Sequence, residues 1–297
     1  VPDDSDQDWL AARFERERGR LGAVAYRMLG SASDAEDAVQ ETWLRLNRTD
    51  SAQVDNLSAW LTTVVARVSL NMLRSRRTRR EQPLEAAEAL DPPTETGFDV
   101  QPEPQAVLAD SVGLALLVVL DTLTPAERLA FVLHDMFDLP FEEIAPLVDR
   151  TPTATRQLAS RARRRVRGSG HPSGRDVVRQ RRLVEAYLGA VRRGDFDGLV
   201  AVLDPDVVLH ADRTAASTST PRVLRGARAV AHGAVASAVR APHTAIALVD
   251  GSVGLVMAME GRLAVALAFQ TAGERITAID VIADPERLQE LAVSVLD

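Results

Sequence analysis

Cysteine and lysine are both missing from this chain of 297 residues, and aromatic side chains make up only 4% of it. Without cysteine there is no disulfide framework, no thiolate zinc ligand and no thiol nucleophile. That predicts a reducing setting, the cytoplasm, or indifference to redox. No window holds about 18 uninterrupted apolar residues. The first stretch, VPDDSDQDWLAARFERERGR, is acidic and has no apolar run of the kind a signal peptide carries. These absences predict a chain that neither spans a membrane nor is exported. Arginine is left as the only strong base; it suits planar, bidentate phosphate contacts, although GC-rich coding produces the same composition. What is present is ordinary for a globular protein: 46% hydrophobic residues and a length that accommodates two or three domains.

The formal charge of -7 is unevenly spread. Residues 81–110 hold eight acids and no base, whereas 1–80, 111–170 and 171–297 each lie within one charge of neutrality. The acidic segment, EQPLEAAEALDPPTETGFDVQPEPQAVLAD, is rich in Pro and Glu and reads as a linker. A second break, GSGHPSGRD at 168–176, has the small, turn-forming composition of a domain boundary. The chain therefore divides into a helical block at 1–80, a linker at 81–110, a second helical block at 111–170 and a C-terminal domain at 171–297.

Helical period organises the first block. In DAEDAVQETWLRL, Ala35, Ala38, Val39, Thr42, Trp43 and Leu46 fall on one stripe, with Asp34 as the expected N-cap. Leu44 points away from that stripe, among Asp37, Gln40, Glu41 and Arg48. It is either a plain surface leucine or part of a mixed apolar and acidic face that docks a partner. The next helix, NLSAWLTTVVARVSLNMLRSRRTRR, buries Leu57, Leu61, Val64, Val65, Val68 and Met72. On another side it carries Trp60, Thr63, Arg67, Asn71 and Arg74, followed by Arg77 and further arginines. Arg and Asn reach phosphate or base edges, and an aromatic ring offers a stacking platform; a core tryptophan beside a solvated basic end is the other reading.

The second block is more specific. LTPAERLAFVLHDMFDL opens with Thr124, Pro125 and Glu127 in capping-box spacing, PFEEIAPLVD makes a short helix, and TPTATRQLASRARRRVR starts from Thr151 as N-cap. Three helices with a tight connection before the last match a helix-turn-helix. On the last one Thr155, Leu158, Ala162 and Val166 share a face. Thr153, Gln157, Ser160, Arg161 and Arg164 lie opposite, with Arg156 nearby. Hydroxyl, amide and guanidinium groups near the start of such a helix read base edges, and flanking arginines hold phosphates.

Taken together, residues 8–168 resemble an extracytoplasmic-function (ECF) sigma factor of the sigma-70 family. YRMLGSASDAEDAVQETWLRL and SAWLTTVVARVSLNMLRSRRTRR resemble region 2, and LTPAERLAFVLHDMFDLPFEEIAPLVDRTPTATRQLASRARRRV resembles region 4. The resemblance implies that Asp37, Gln40, Glu41 and Leu44 meet the β′ clamp helices of core RNA polymerase, whose β flap would engage region 4. It implies that Trp60, Thr63, Arg67, Asn71, Arg74 and Arg77 bind the −10 element, with an unstacked base held beside loop 47–57. Thr151, Thr153, Arg156, Gln157, Ser160, Arg161 and Arg164 would read the −35 element. Many relatives carry an acidic residue where Asn71 stands. A stand-alone DNA-binding regulator is the rival reading, and it leaves the Leu44 face without a purpose.

The C-terminal segment begins with two amphipathic helices, RDVVRQRRLVEAYLGAVRRGD and FDGLVAVLD, and a strand, DVVLHAD. It ends in alternating segments that predict a curved antiparallel sheet, then a helix DPERLQELAVSVL with Asp284 as N-cap. This order resembles the SnoaL-like, cone-shaped α+β fold. The expected architecture is thus two all-α helical domains followed by an α+β domain, and the resemblance implies that the last domain is a fused regulator. Relatives often carry WLPEP in the linker and a glycine-rich turn in this domain; here only Pro102–Pro104 of the first remains, and ADRTAASTST replaces the second. A small-molecule-binding or enzymatic module is the alternative. His210 and Asp212, two apart on a strand, are its candidate acid and base pair. No cofactor or metal motif is present, so neither is expected; a small-molecule ligand of this domain is a further expected partner beside polymerase and promoter DNA.

Overall fold

A computed structural model describes residues 4–49, 56–81, 111–168, 175–216, 220–259 and 262–296. Contacts group the chain into two compact units, one drawn from Val1–Leu108 and Pro125–Ala159, the other from Ala109–Thr124 and Ser160–Asp297.

Among the described residues the first unit has helices and no strand. Helix α1 (Asp4–Leu29) buries Leu10, Phe14, Leu21, Val24, Ala25 and Met28, a set recurring at helical spacing. It stops at Gly30, whose φ of 74° is the left-handed cap geometry glycine adopts without a Cβ penalty, and the Gly30 N–H returns to the Tyr26 carbonyl at 2.7 Å. Helix α2 (Ala32–Leu46) and helix α3 (Leu57–Glu81) pack on it. The N-cap of α2 is Ser31 rather than the expected Asp34: the serine hydroxyl accepts from the Asp34 N–H at 3.3 Å. Asp34 sits one turn in and pairs with Arg76 of α3, whose guanidinium also donates to the Leu29 carbonyl at 3.2 Å. Both residue types cap helices, and the carboxylate that binds α3 is not the group that starts α2.

The same unit holds the helix-turn-helix as far as Ala159, in the middle of its last helix. Helix α5 (Pro125–Phe131) runs into a π-type turn at Val132–Met136. Helix α6 (Phe141–Ile144) is extended by a 3₁₀ turn at Ala145–Leu147, and helix α7 (Pro152–Arg167) follows. Asp149, at φ 54°, makes the sharp bend before α7, a left-handed position that Asp tolerates better than most residues.

The second unit is built around one mixed sheet. Helix α4 (Ser111–Asp121) belongs to it, as do α8 (Arg175–Arg193), α9 (Phe196–Val202), α10 (Arg213–Ala216), α11 (Ala227–Ala236) and α12 (Pro285–Glu290). Its strands are β1 (Leu203–Ala211), β2 (Arg222–Arg225), β3 (Thr244–Val249), β4 (Ser252–Met259), β5 (Arg262–Ala272), β6 (Arg275–Ile282) and β7 (Val293–Ser294), in the order β2-β1-β6-β5-β4-β3-β7. The four alternating segments, β3 to β6, pair antiparallel as expected, whereas β1, for which the sequence offers no partner, runs parallel to β6. That pairing joins strands far apart in sequence, which alternation within each strand does not reveal.

Side chains of alternate parity go to two different cores. Leu248, Val253, Leu255, Phe269 and Ile279 pack with Val184, Tyr187, Leu199 and Val230 from the helices on one face. Ala245, Ala247, Val249, Val256 and Ala258 pack with Leu114, Ala115, Val118 and Val119 of α4 on the other. Burial on both faces is why β4 reads as a near-continuous apolar run rather than an alternating one. Gly254 marks the tightest approach: a Cβ there would stand 2.6 Å from the Leu267 carbonyl oxygen and 2.9 Å from Val249 Cγ2.

The final expected helix, DPERLQELAVSVL, is only half formed. Asp284 caps it as predicted, accepting from the N–H groups of Glu286 and Arg287 at 3.1 and 3.2 Å. After Glu290 the chain turns to β7 and pairs with β3, Val293 opposite Val249. The Ala292 N–H reaches the Asp250 carboxylate at 2.8 Å, and the Val295 N–H reaches the Val166 carbonyl at 2.9 Å. A free edge beside β3 and a waiting apolar cluster outweigh the helical period of that tail.

Candidate nucleic-acid interface

Three exposed helix faces carry the expected functional residues. On α2, Ala35, Ala38, Val39, Thr42 and Leu46 are buried, and Trp43 packs against Phe14 with ring centroids 5.0 Å apart. This fixes the roll of the helix, so Asp37, Gln40, Glu41 and Leu44, spaced i, i+3, i+4 and i+7, form one outward ridge. Leu44, at its C-terminal end, is 42% exposed. Glu41 is partly held by Arg45 at 2.8 Å.

On α3, Leu61, Val65 and Val68 are buried while Arg67, Asn71 and Arg74 are exposed, with Trp60 and Thr63 half-buried on the same side. The side chain of Arg77 lies outside the described residues, as does most of loop 47–57. Asn56 at the end of that loop caps α3, its side-chain oxygen accepting from the Ala59 N–H at 3.1 Å. Beside this cap is a cleft of about 230 Å³ lined by Arg20, Ser58 and Thr62, and by Asp138 and Glu143 from the helix-turn-helix. Ser58 accepts from Arg20 at 3.1 Å and donates to Glu17 at 3.0 Å.

On α7, Thr155, Ala159 and Ala162 are fully buried. Thr151, Thr153, Arg156, Gln157, Ser160, Arg161 and Arg164 are all exposed. Thr151 caps the helix, its hydroxyl accepting from the Ala154 N–H at 3.2 Å. The Arg156 guanidinium stands over the Phe141 ring, 5.1 Å from its centroid, which orients it before any ligand arrives. The arrangement presents hydroxyl, amide and guanidinium donors along one side of a helix, the chemistry that reads base edges and phosphates.

Sequence reasoning missed the groups that seat the helix-turn-helix. Arg128 is 2% exposed, and its Nε donates to the Arg27 carbonyl of α1 at 3.0 Å. The Arg27 guanidinium in turn lies 5.8 Å from the Phe137 ring. Only the position of Arg128 on the apolar side of α5 hinted at this role.

The proposed acid and base pair of the C-terminal domain is not assembled. His210 is exposed on β1. Asp212 stands just past the strand end, where alternation no longer sets direction, and accepts from the N–H groups of Ala215, Ala283 and Asp284 at 2.8 to 2.9 Å. Arg287 is 3.6 Å away. Burial raises the carboxyl pKa, but the three N–H donors and Arg287 outweigh it and hold it below the ordinary value. Asp212 ties the start of α10 to the start of α12. Among the described residues, no group of three His, Asp or Glu stands close enough to hold a metal ion, and no helix is long and apolar enough to cross a membrane.

Comparison with known proteins matches residues 13–79 to Sigma-70 region 2 and residues 113–166 to Sigma-70, region 4. The chain is similar to a probable ECF RNA polymerase sigma factor, SigI, of Mycobacterium tuberculosis: 34% identical over 293 residues, 97% of each protein. It is 41% identical over 219 residues to the ECF RNA polymerase sigma factor SigJ of that organism, covering 72% of this chain and 69% of SigJ. A crystal structure of SigJ aligns over 93% of this chain and 97% of its own at 33% identity, with a TM-score of 0.45.

Proposed function

The chain belongs to the ECF RNA polymerase sigma factors, and on that premise we propose how its surfaces divide the work of promoter-directed transcription initiation. The α2 ridge of Asp37, Gln40, Glu41 and Leu44 engages the β′ clamp helices of core polymerase. Trp60, Thr63, Arg67, Asn71, Arg74 and Arg77 of α3 contact the −10 element, and Thr151, Thr153, Arg156, Gln157, Ser160, Arg161 and Arg164 of α7 the −35 element. The working modules are 1–80, 111–170 and 171–297, with 81–110 as the tether, and the site of action is the cytoplasm, where polymerase is. The last module regulates the other two and performs no covalent chemistry. The commitment of Asp212 to backbone donors supports that reading over catalysis by His210 and Asp212.

One observation carries the assignment: an apolar side chain, Leu44, 42% exposed among Gln40, Glu41 and Arg48, on a helix whose roll is set by a buried opposite face. A regulator that only binds DNA has no use for it. Leu44→Asp in the full chain is expected to weaken binding to purified core polymerase at least about tenfold, a loss of about 1.4 kcal/mol. Run-off transcription should fall with it, while the melting temperature is unchanged because the residue is exposed. Unaltered core affinity would overturn the assignment of this ridge.

A further inference from the structure

The C-terminal domain carries a cleft of about 540 Å³ whose lining includes neither His210 nor Asp212. That volume is within the range of small-molecule sites. Three arginines from three elements line it: Arg225 ends β2, Arg228 stands in the first turn of α11, and Arg275 opens β6. Two of them are held in place. Arg275 donates to the Leu203 carbonyl at 2.9 Å, and the Arg228 guanidinium lies 5.3 Å from the Phe196 ring centroid. Among the described residues, none of the three forms an ion pair with a carboxylate, and no acid lines the cleft.

Like charges brought into one concavity without a counter-charge repel one another, and an anion that enters relieves that repulsion. The first turn of α11 adds to the attraction. Its N-cap is Gly226, at φ 87°, and no side chain caps it, so its positive end is left for a ligand or water. The remaining wall is apolar, formed by Val200, Leu203, Pro205 and Ala229.

We propose that this cleft binds a small phosphate monoester, its phosphate among Arg225, Arg228 and Arg275 and its organic body against the apolar wall. Three cations match a group carrying close to two negative charges better than a carboxylate with one, and the planar guanidinium forks bind phosphate oxygens in pairs. The inference reaches beyond the regulatory reading of this domain, since it names the chemistry of an effector.

Calorimetric titration of the full chain tests it without polymerase, so the outcome is separate from that of the transcription assignment. Hexyl phosphate is expected to bind saturably at one site. Inorganic phosphate should bind at least about tenfold more weakly, because it leaves the apolar wall wet, and hexanoate should be weaker by a similar factor. Arg225→Gln and Arg228→Gln are each expected to weaken hexyl phosphate about tenfold with an unchanged melting temperature. Arg222→Gln, exposed on the same strand outside the cleft, should change nothing. The proposal fails if hexyl phosphate shows no saturable binding, if hexanoate or inorganic phosphate binds as tightly, or if Arg222→Gln matters as much as the cleft variants.

Discussion

Helices α4 and α5 are neighbours in sequence, separated by Thr122–Thr124, yet they are anchored by opposite chemistry. Up to Asp121, α4 has no charged residue, and it lays Leu114, Ala115, Val118 and Val119 on an alanine-rich sheet face. In α5, Glu127 and Arg128 are 4% and 2% exposed, and the arginine is aimed at a backbone carbonyl of α1. Each fully buried Leu or Val of the first kind contributes roughly 1.5–3 kcal/mol whatever its angular placement. A buried guanidinium contributes only where an acceptor is correctly placed, and is unfavourable elsewhere. The apolar contact therefore supplies strength and the polar one supplies position, a division suited to a DNA-reading unit whose angle matters.

A charge placed in the dry contact has the largest expected effect. Val118→Asp, at a fully buried position, is expected to destabilise the second unit by about 3–5 kcal/mol, lowering its urea midpoint and raising amide exchange across β3 and β4. Arg128→Leu removes the donor to the Arg27 carbonyl; a loss of about 1–3 kcal/mol is expected, with faster exchange in residues 125–147 and none added in the sheet. If it instead stabilises the chain, the positional role of that guanidinium is wrong.

Asp212 sharpens the contrast because its tie can be titrated. Its folded pKa lies below the ordinary 3.8, so its stabilising contribution is complete above the unfolded value and is lost as pH falls through the folded one. Between pH 5 and pH 2, wild type should lose more stability than Asp212→Asn, read from urea midpoints. Equal slopes would remove Asp212 from the set of structural ties.

The three interface helices were legible in the sequence because each buries a single stripe that leaves the opposite side defined: residues 35, 38, 39, 42 and 46 on α2, and on α7 Thr155 and Ala162 as expected, with Ala159 buried where Leu158 and Val166 are only half-buried. The same reasoning failed where a partner from elsewhere in the chain decides. An apolar helix such as α4 announces burial without saying against what. The tail at 291–296 keeps a helical period and still pairs with β3, since the open strand edge is invisible to local pattern. Asp212 looked like half of a reactive pair until its three backbone donors, two of them more than 70 residues away, came into view.

Where α4 rests bears on how shortened forms of this protein should be designed. Ending the chain at Gly168 strips away the whole surface that Leu114, Ala115, Val118 and Val119 lie on, together with the backbone partner of Val166. Such a fragment enters any assay with a sticky, unsupported helix, and its altered behaviour mixes lost regulation with lost scaffolding. Keeping the sheet and pruning single side chains from α4 is the route that separates the two.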